Sequence, residues 1–476
     1  MTRPNILLIV LDTARARTVY SMLDSGQLPG ISRFRERGTL YSNAFTPAPW
    51  TLPSHATLFT GQRTSIHRTH AGHTQFEPSS SPLAEQLQRT GYETRGISGN
   101  VWISPEFGFD QGFDELSMKW DYFWGGTDLS EISAASGVAR YTRLVNAILA
   151  ERPGTTIFNS IYAKLFANKA DDGAKSTTNR TIKWISNRDR EKPFFYFINY
   201  LEPHLPYSPP SEFFPDGLVD GNDDLLDPNP WEHIAGDEKF SEADFEVLRQ
   251  LYRAEIAYLD SHLNRLFDCL VRTNELSNTA IFIVGDHGEN IGDHDLMDHQ
   301  YSLHDTLLHV PLIARYPPKF TAEVEQGLVS TRDIYPTICN LAGVDVPSDD
   351  TISSNDISEI PQRDAIFAEY RVPQPDIDTL MNRIKKPSAN LEWVDRSLRA
   401  VRTHSWKFIE AEDGTSELRA ISDGSPHPEV IEDQQCVEED LIGKMDEQNI
   451  PLMRAGSYDT EISERSRERL NDLGYI

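Results

Sequence analysis

Four places in this chain set ionisable or nucleophilic groups where chemistry could use them. Asp12 follows the apolar run Asn5–Leu11. Glu202 and His204 follow Phe194–Tyr200, and Asp286 and His287 follow Thr279–Val284 and a glycine. Core packing would ask for apolar side chains at such positions, whereas in open α/β sheets ligands collect outside the carboxyl ends of strands. Two carboxylates with one imidazole form a donor set for a divalent cation, and oxygen-rich ligation suits Mn²⁺, Mg²⁺ or Ca²⁺ better than structural zinc. A turn aspartate after a strand would look the same at Asp12. The fourth place is the stretch Thr46 to Gly61, with prolines at 47, 49 and 53. The residue before a proline is pushed towards extended backbone, and Pro53 suits a first helical turn, so a helix is predicted from Pro53 to Thr60 with Gly61 as its stop. Thr51 then stands at the helix mouth, either as a capping residue or where unpaired N–H groups favour an anion.

These groups must be carried by buried strands. Continuous apolar runs such as Ile6 to Leu11 mark strands covered on both faces of a parallel sheet. Thr39–Phe45 and Glu93–Ser98 read as further strands, and Gly26 to Gly38 and Pro82 to Gly91 as short helices. Residues 126–190 carry helical periodicity in at least two segments. Residues 208–240 are rich in Pro and Asp and read as a surface insertion beside the substrate entrance. Ser241 and Asp244 form a capping box that opens a long amphipathic helix with a stripe from Phe245 to Leu270. A polar linker over Val346 to Ile360 separates residues 1–345 from a small antiparallel α+β unit within 346–476, which ends in a charged helix near Ile462 to Leu473. The expected fold class is α/β, a large mixed and mostly parallel sheet flanked by helices, with that small subdomain appended.

Composition narrows the partners. The chain has 476 residues and a formal charge of −28, so nucleic acid and anionic membrane are excluded as partners. Only 12 of its 45 basic residues are lysine, a surface suited to concentrated salt, and a halophilic source is expected. Cys269, Cys339 and Cys436 are too few and too scattered for a disulfide framework or zinc site. His67, His70 and His73 fit no standard metal spacing and read as solvated loop residues. The first apolar run is too short for a signal or spanning segment, which leads to the expectation of a cytoplasmic protein outside the membrane. Self-association is left open.

Thr51-Leu52-Pro53-Ser54-His55, followed by Ala56 to Gly61, resembles the signature of the sulfatase family in the alkaline-phosphatase superfamily, which reads Cys or Ser, any residue, Pro, Ser, Arg, and closes in Leu-x-Thr-Gly. The resemblance covers roughly residues 3–345. It implies that Thr51 is the nucleophile and that Asp12, Thr51, Asp286 and His287 ligate one divalent cation. It also implies that His204, in a Pro-His-x-Pro turn, contacts the transferred group, that His299 contacts substrate ahead of the Val310-Pro311-Leu312 strand, and that His55 and Asn100 lie in substrate-binding places. His294 and His304 are weaker candidates for the role of His299. Five positions depart from the family pattern. Thr51 cannot mature to formylglycine, His55 replaces the arginine, Thr13 replaces a second aspartate, and Asn100 and Trp102 replace a lysine and a histidine.

The expected activity is therefore metal-dependent hydrolysis of sulfate, phosphate or phosphonate esters of small molecules or glycans. Thr51 would attack phosphorus or sulfur and His204 would act as general acid on the leaving oxygen. An unmodified alcohol favours phosphate and phosphonate esters, because a phosphothreonine can be hydrolysed at P–O whereas a sulfated threonine has no such easy exit. The second reading is a catalytically weakened relative that binds anionic glycans or serves as a scaffold.

Overall fold

A computed structural model describes residues 3–120, 173–214, 229–236, 240–321, 323–349, 351–353, 355–359, 363–384, 391–422, 425–427, 434–456, 462–473 and 475. Most of the periodicity expected over 126–190 and most of the 208–240 insertion lie outside these residues.

Among the described residues eight strands make the main sheet: β1 (Asn5–Leu11), β2 (Thr39–Phe45), β3 (Glu93–Ser98), β4 (Glu115–Met118), β5 (Phe194–Tyr200), β6 (Thr279–Gly285), β9 (Leu312–Arg315) and β10 (Glu323–Ser330). A separate ribbon pairs β7 (Asn290–Ile291) with β8 (Met297–Asp298). The main order is β10-β2-β9-β6-β1-β5-β3-β4, and β9 alone runs antiparallel to its two neighbours. Successive strand residues point to opposite faces, and β1 divides accordingly. Ile6, Leu8 and Val10 join one core cluster, and Leu7, Ile9 and Leu11 the other. Both faces of the sheet are thus covered, which is why β1, β5 and β6 could be recognised as unbroken apolar runs.

The helix Glu242–Arg272 covers the second face and carries the capping box at Ser241 and Asp244. Its Asp260 carboxylate accepts the backbone N–H groups of Gly30 and Ile31 at 2.8 and 2.7 Å, closing the start of the helix Pro29–Arg35. The opposite face takes the helices Thr51–Thr60 and Ile334–Ala342.

The five-stranded sheet of β11 (Ala365–Tyr370), β12 (Leu398–Thr403), β13 (Trp406–Ala411), β14 (Ser416–Ser422) and β15 (Ser425–His427) is antiparallel throughout. A helix Gln434–Glu447, absent from the sequence expectation, buries Leu441 and Met445 against Val401 and Phe408. Arg402 and Lys407 both pair with Asp305 of the main unit, at 3.0 and 3.1 Å. The expected linker is a packed strap: Ile352 and Ile357 are buried in the main core and Ser353 N–H bonds the Gly61 carbonyl. Its polar composition concealed two apolar anchors. Among the described residues no helix is long and apolar enough to cross a membrane.

Candidate active site

Strand register gathers the site. Leu11 of β1 pairs with Tyr200 of β5 on one side and Gly285 of β6 on the other, so Asp12, Leu201 and Asp286 leave the sheet at one level. Asn100 follows β3, whose last residue Ser98 pairs with Asn199. The turn after β6 needs glycine. A Cβ on Gly288 would stand 2.0 Å from the Thr306 carbonyl oxygen, and one on Gly285 2.8 Å from that of Ala14.

The helix that carries Thr51 starts earlier than expected. It runs Thr51–Thr60 with Trp50 as its N-cap in extended conformation, and Gly61 ends it at φ 69°. Pro53 is tolerated at the third helical position because the first-turn N–H groups have no helical partner in any case. Thr51 is therefore inside the first turn, not a cap, and its side chain is free to turn towards the strand ends.

Thr51 Oγ lies 3.2 Å from His287 Nε2. His287 Nε2 is 3.4 Å from Asp286 Oδ2 and 3.7 Å from Asp12 Oδ1. All four side chains are buried. Among the described residues Asp12 Oδ1 and Asp286 Oδ2 find no hydrogen-bond partner, and Asp12, Asp286 and His287 can present one atom each within 4.8 Å of one another. Buried unpaired carboxylate oxygens facing an imidazole lone pair are costly without a cation between them, so these residues fit a divalent ion. His287 Nδ1–H donates to the Gly288 carbonyl at 2.9 Å, which leaves Nε2 as the ligating atom. Asp286 Oδ1 accepts the backbone N–H groups of Thr13 and His287, at 3.2 and 2.8 Å. Burial pushes the Asp12 carboxyl up to about 6 against the opposing hydrogen bond from Asn100. Burial and the neighbouring Asp12 raise Asp286 well above the ordinary range, and burial with His299 holds His287 well below it.

Asn100 is locked by accepting the Trp102 backbone N–H at 3.1 Å. Its Nδ2 then donates to Asp12 Oδ2 at 2.9 Å and faces Thr51 Oγ at 3.3 Å. His55 donates from Nδ1 to the Thr51 carbonyl at 2.9 Å, and the same nitrogen lies 3.5 Å from Asp286 Oδ2. It adjoins the carboxylates rather than Thr51 Oγ, packs edge-on against Phe197, and is kept neutral by burial at about 4.

A second acidic cluster lies beside the first. His299 Nδ1 pairs with Asp298 Oδ1 at 2.5 Å and stands 3.5 Å from Glu289 Oε1. Burial alone would lower the His299 pKa, but Asp298 and Glu289 outweigh it and hold the ring protonated, well above its ordinary value. This imidazolium lies 4.6 Å from the His287 ring and 5.2 Å from that of His204, between centroids. His204 donates from Nδ1 to the Leu205 carbonyl at 2.5 Å, and burial together with His299 lowers it to about 4. It is neutral, with its Nε2 lone pair directed into the site.

Some candidates fall elsewhere. Glu202 accepts the Ala174 N–H and leaves the site. His294 and His304 stack on each other at 3.6 Å, in a separate cavity of about 250 Å³ with Arg15, Arg17, Lys407 and Arg419. His67 and His70 are buried rather than solvated: His67 Nε2 meets Thr57 Oγ, and a backbone bridge closes His70 on His73. The sequence reading missed Tyr475. Its hydroxyl lies 2.9 Å from Thr51 Oγ, 3.1 Å from His204 Nε2 and 3.4 Å from Asn100 Nδ2.

A mostly parallel α/β sheet with a threonine hydroxyl beside two carboxylates and an imidazole at its strand ends has the fold of the solved alkaline-phosphatase-like structures. The sulfatase family profile matches residues 4–344, and the chain belongs to the sulfatase family, whose enzymes use a divalent metal. Arylsulfatase K of Canis lupus familiaris is 24% identical over 456 residues, covering 90% of this chain and 78% of that one. An arylsulfatase of Clostridium perfringens is 23% identical, covering 77% and 80%. The phosphonate monoester hydrolase of Silicibacter pomeroyi superposes with a TM-score of 0.66 at 18% identity over 97% of this chain and 98% of its own. A structure solved with D-glucosamine-2-N,6-O-disulfate gives 0.64 at 18% identity over 94% and 98%. The solved structures match in fold.

Proposed function

We propose that this protein hydrolyses phosphate or phosphonate esters, with sulfate esters as the alternative substrate class, using Thr51 Oγ as nucleophile. The observation that carries this reading is Thr51 Oγ at 3.2 Å from His287 Nε2, beside two carboxylate oxygens that have no hydrogen-bond partner among the described residues. Asp12, Asp286 and His287, with Thr51, would hold one divalent cation. When bound, such an ion lowers the pKa of a coordinated hydroxyl and offsets charge on the transferred group. Asn100, held by Trp102 N–H, offers a neutral donor at the nucleophile. The His299 imidazolium, carried by Asp298, supplies a positive charge on the opposite wall, where anionic ester oxygens would sit. His204 stands at the leaving-group side. A buried, water-poor setting strengthens each of these interactions.

The leaning towards phosphorus rests on chemistry. Threonine lacks the route by which a hemiacetal expels sulfate, and one fold neighbour is a phosphonate monoester hydrolase. The test is a panel of nitrophenyl sulfate, phosphate, phosphonate and phosphodiester substrates with Mn²⁺, Mg²⁺ or Ca²⁺. Thr51→Ala is expected to lose at least about 10⁴-fold in kcat on the preferred ester. Turnover unaffected by Thr51→Ala overturns the assignment, and absence of any turnover alongside retained glycan binding favours the non-catalytic reading.

A further inference from the structure

Tyr475 joins the nucleophile to the group beside the leaving oxygen. Its hydroxyl is within hydrogen-bond distance of Thr51 Oγ at 2.9 Å and of His204 Nε2 at 3.1 Å. The direction of the chain of bonds follows from its two ends. His204 Nδ1–H is committed to the Leu205 carbonyl, so Nε2 can only accept, and the Tyr475 hydroxyl donates to it. The Tyr475 oxygen is then free to accept, and the Thr51 hydroxyl is the donor that faces it. Asn100 Nδ2, which only donates, faces both oxygens at 3.3 and 3.4 Å. The Thr51 hydroxyl also faces the His287 Nε2 lone pair at 3.2 Å; when it donates to Tyr475 instead, the bonds run one way, from Thr51 through Tyr475 to His204.

The placement of Tyr475 is built. Its backbone carbonyl accepts from Gln374 Nε2 at 2.8 Å, and its N–H bonds the Leu470 carbonyl at 2.8 Å. Its ring packs edge-on to Trp102, with centroids 5.7 Å apart, and tilted against Trp50 at 6.4 Å. The helix Glu464–Asp472 just before it is pinned by Ser463, whose N–H and hydroxyl both bond Glu106 at 2.6 and 2.9 Å. Trp102 stands where the sulfatase pattern has a histidine and Asn100 where it has a lysine. The indole that removes one basic group forms a wall for the phenol.

We propose that Tyr475 is a catalytic residue that relays the proton of Thr51 to His204, an assignment that rests on the reading of Thr51 as nucleophile. In the first half-reaction Thr51 Oγ bonds to phosphorus and the ester P–O bond breaks. The Thr51 proton passes to the Tyr475 oxygen as the Tyr475 proton passes to His204 Nε2, and the imidazolium delivers it to the departing alkoxide. In the second half water takes the alcohol's place. A water proton goes to His204 Nε2 and returns through Tyr475 to Thr51 Oγ as the P–Oγ bond breaks. Tyr475 and His204 end each turnover neutral, and water is the sole co-reactant. The relay also answers a question the site poses, since a neutral His204 cannot act as an acid until a proton reaches Nε2.

The experiment compares wild type, Tyr475→Phe and Thr51→Ala on an alkyl ester and a nitrophenyl ester of the same acid. Phenylalanine keeps the ring between Trp50 and Trp102, and thermal melting with tryptophan fluorescence checks that it does. The relay predicts that Tyr475→Phe loses about 10²-fold or more in kcat on the alkyl ester. The nitrophenyl ester, whose leaving group departs unprotonated, loses less. A covalent adduct on the Thr51 peptide then accumulates by mass spectrometry, because its hydrolysis needs the same path. A Tyr475→Phe kcat equal to or above wild type, with Thr51→Ala inactive, overturns the relay alone and makes the tyrosine a plug. Wild-type turnover that survives Thr51→Ala, or no wild-type turnover, overturns the nucleophile assignment and the relay with it.

Discussion

Two triads of the same composition lie side by side in this molecule. Asp12, Asp286 and His287 form one, and Glu289, Asp298 and His299 the other; every member is buried and each set could meet within 4.8 Å. They resolve their charge in opposite ways. His299 sits 2.5 Å from Asp298 and keeps its proton, so the second triad contains its own cation. His287 donates its Nδ1–H to the Gly288 carbonyl and turns a lone pair towards Asp12 and Asp286, so the first triad lacks a positive charge of its own, while both triads hold carboxylate oxygens without a hydrogen-bond partner among the described residues. One imidazole hydrogen bond separates a set with no positive charge of its own, which would fit a cation, from a set whose ring pairs with its own carboxylate.

The comparison can be broken most directly by removing an acid from each side. Asp286→Asn is expected to weaken divalent-ion binding by more than about a hundredfold and Glu289→Gln by less than about tenfold, measured by calorimetry on the apoprotein. Equal losses would mean that the two triads share the ion. Next in size, His299→Ala strips the second triad of its cation and strands two buried carboxyls. Breaking a buried pair in this way costs about 3–5 kcal/mol, seen as a lower denaturation midpoint, whereas a stability equal to wild type would show that the imidazolium is dispensable.

The smallest effect is one of pH. The Asp12 carboxyl is raised from 3.8 to about 6 in the folded state. The native protein thus holds a proton that the unfolded chain has lost between those values, and stability from this group falls as pH rises through that window. A cation binds the deprotonated ligands, so its affinity should rise over the same range. Melting curves with and without Mn²⁺ between about pH 4 and 7 test the crossing. Stabilisation by Mn²⁺ that is independent of pH would remove Asp12 from the ligand set.

Parts of this arrangement were legible beforehand for a definite reason. Asp12 and Asp286 each interrupt a run of side chains that a sheet buries on both faces, and a charge at that point is conspicuous in one dimension. The Ser241–Asp244 capping box is local, and local hydrogen bonding is written in nearby residues. Helix onset at Thr51 was misplaced because proline in a first turn is compatible with several starts. The 346–360 segment hid its two buried isoleucines among polar neighbours, and His67 and His70 were misjudged because burial is a property of what lies around them.

By itself the sequence determined the strand identities of β1, β5 and β6, the polar residues that terminate them, and the acidic character of the surface, since all three follow from side-chain type and period along the backbone. Only the tertiary structure decided which of those polar groups meet. The Leu11, Tyr200 and Gly285 register aligns the strand ends, the Gly288 carbonyl selects the His287 tautomer, and a tyrosine far along the chain reaches Thr51. Hydrogen bonds across such separations depend on through-space distance, and no periodicity in the intervening residues encodes it.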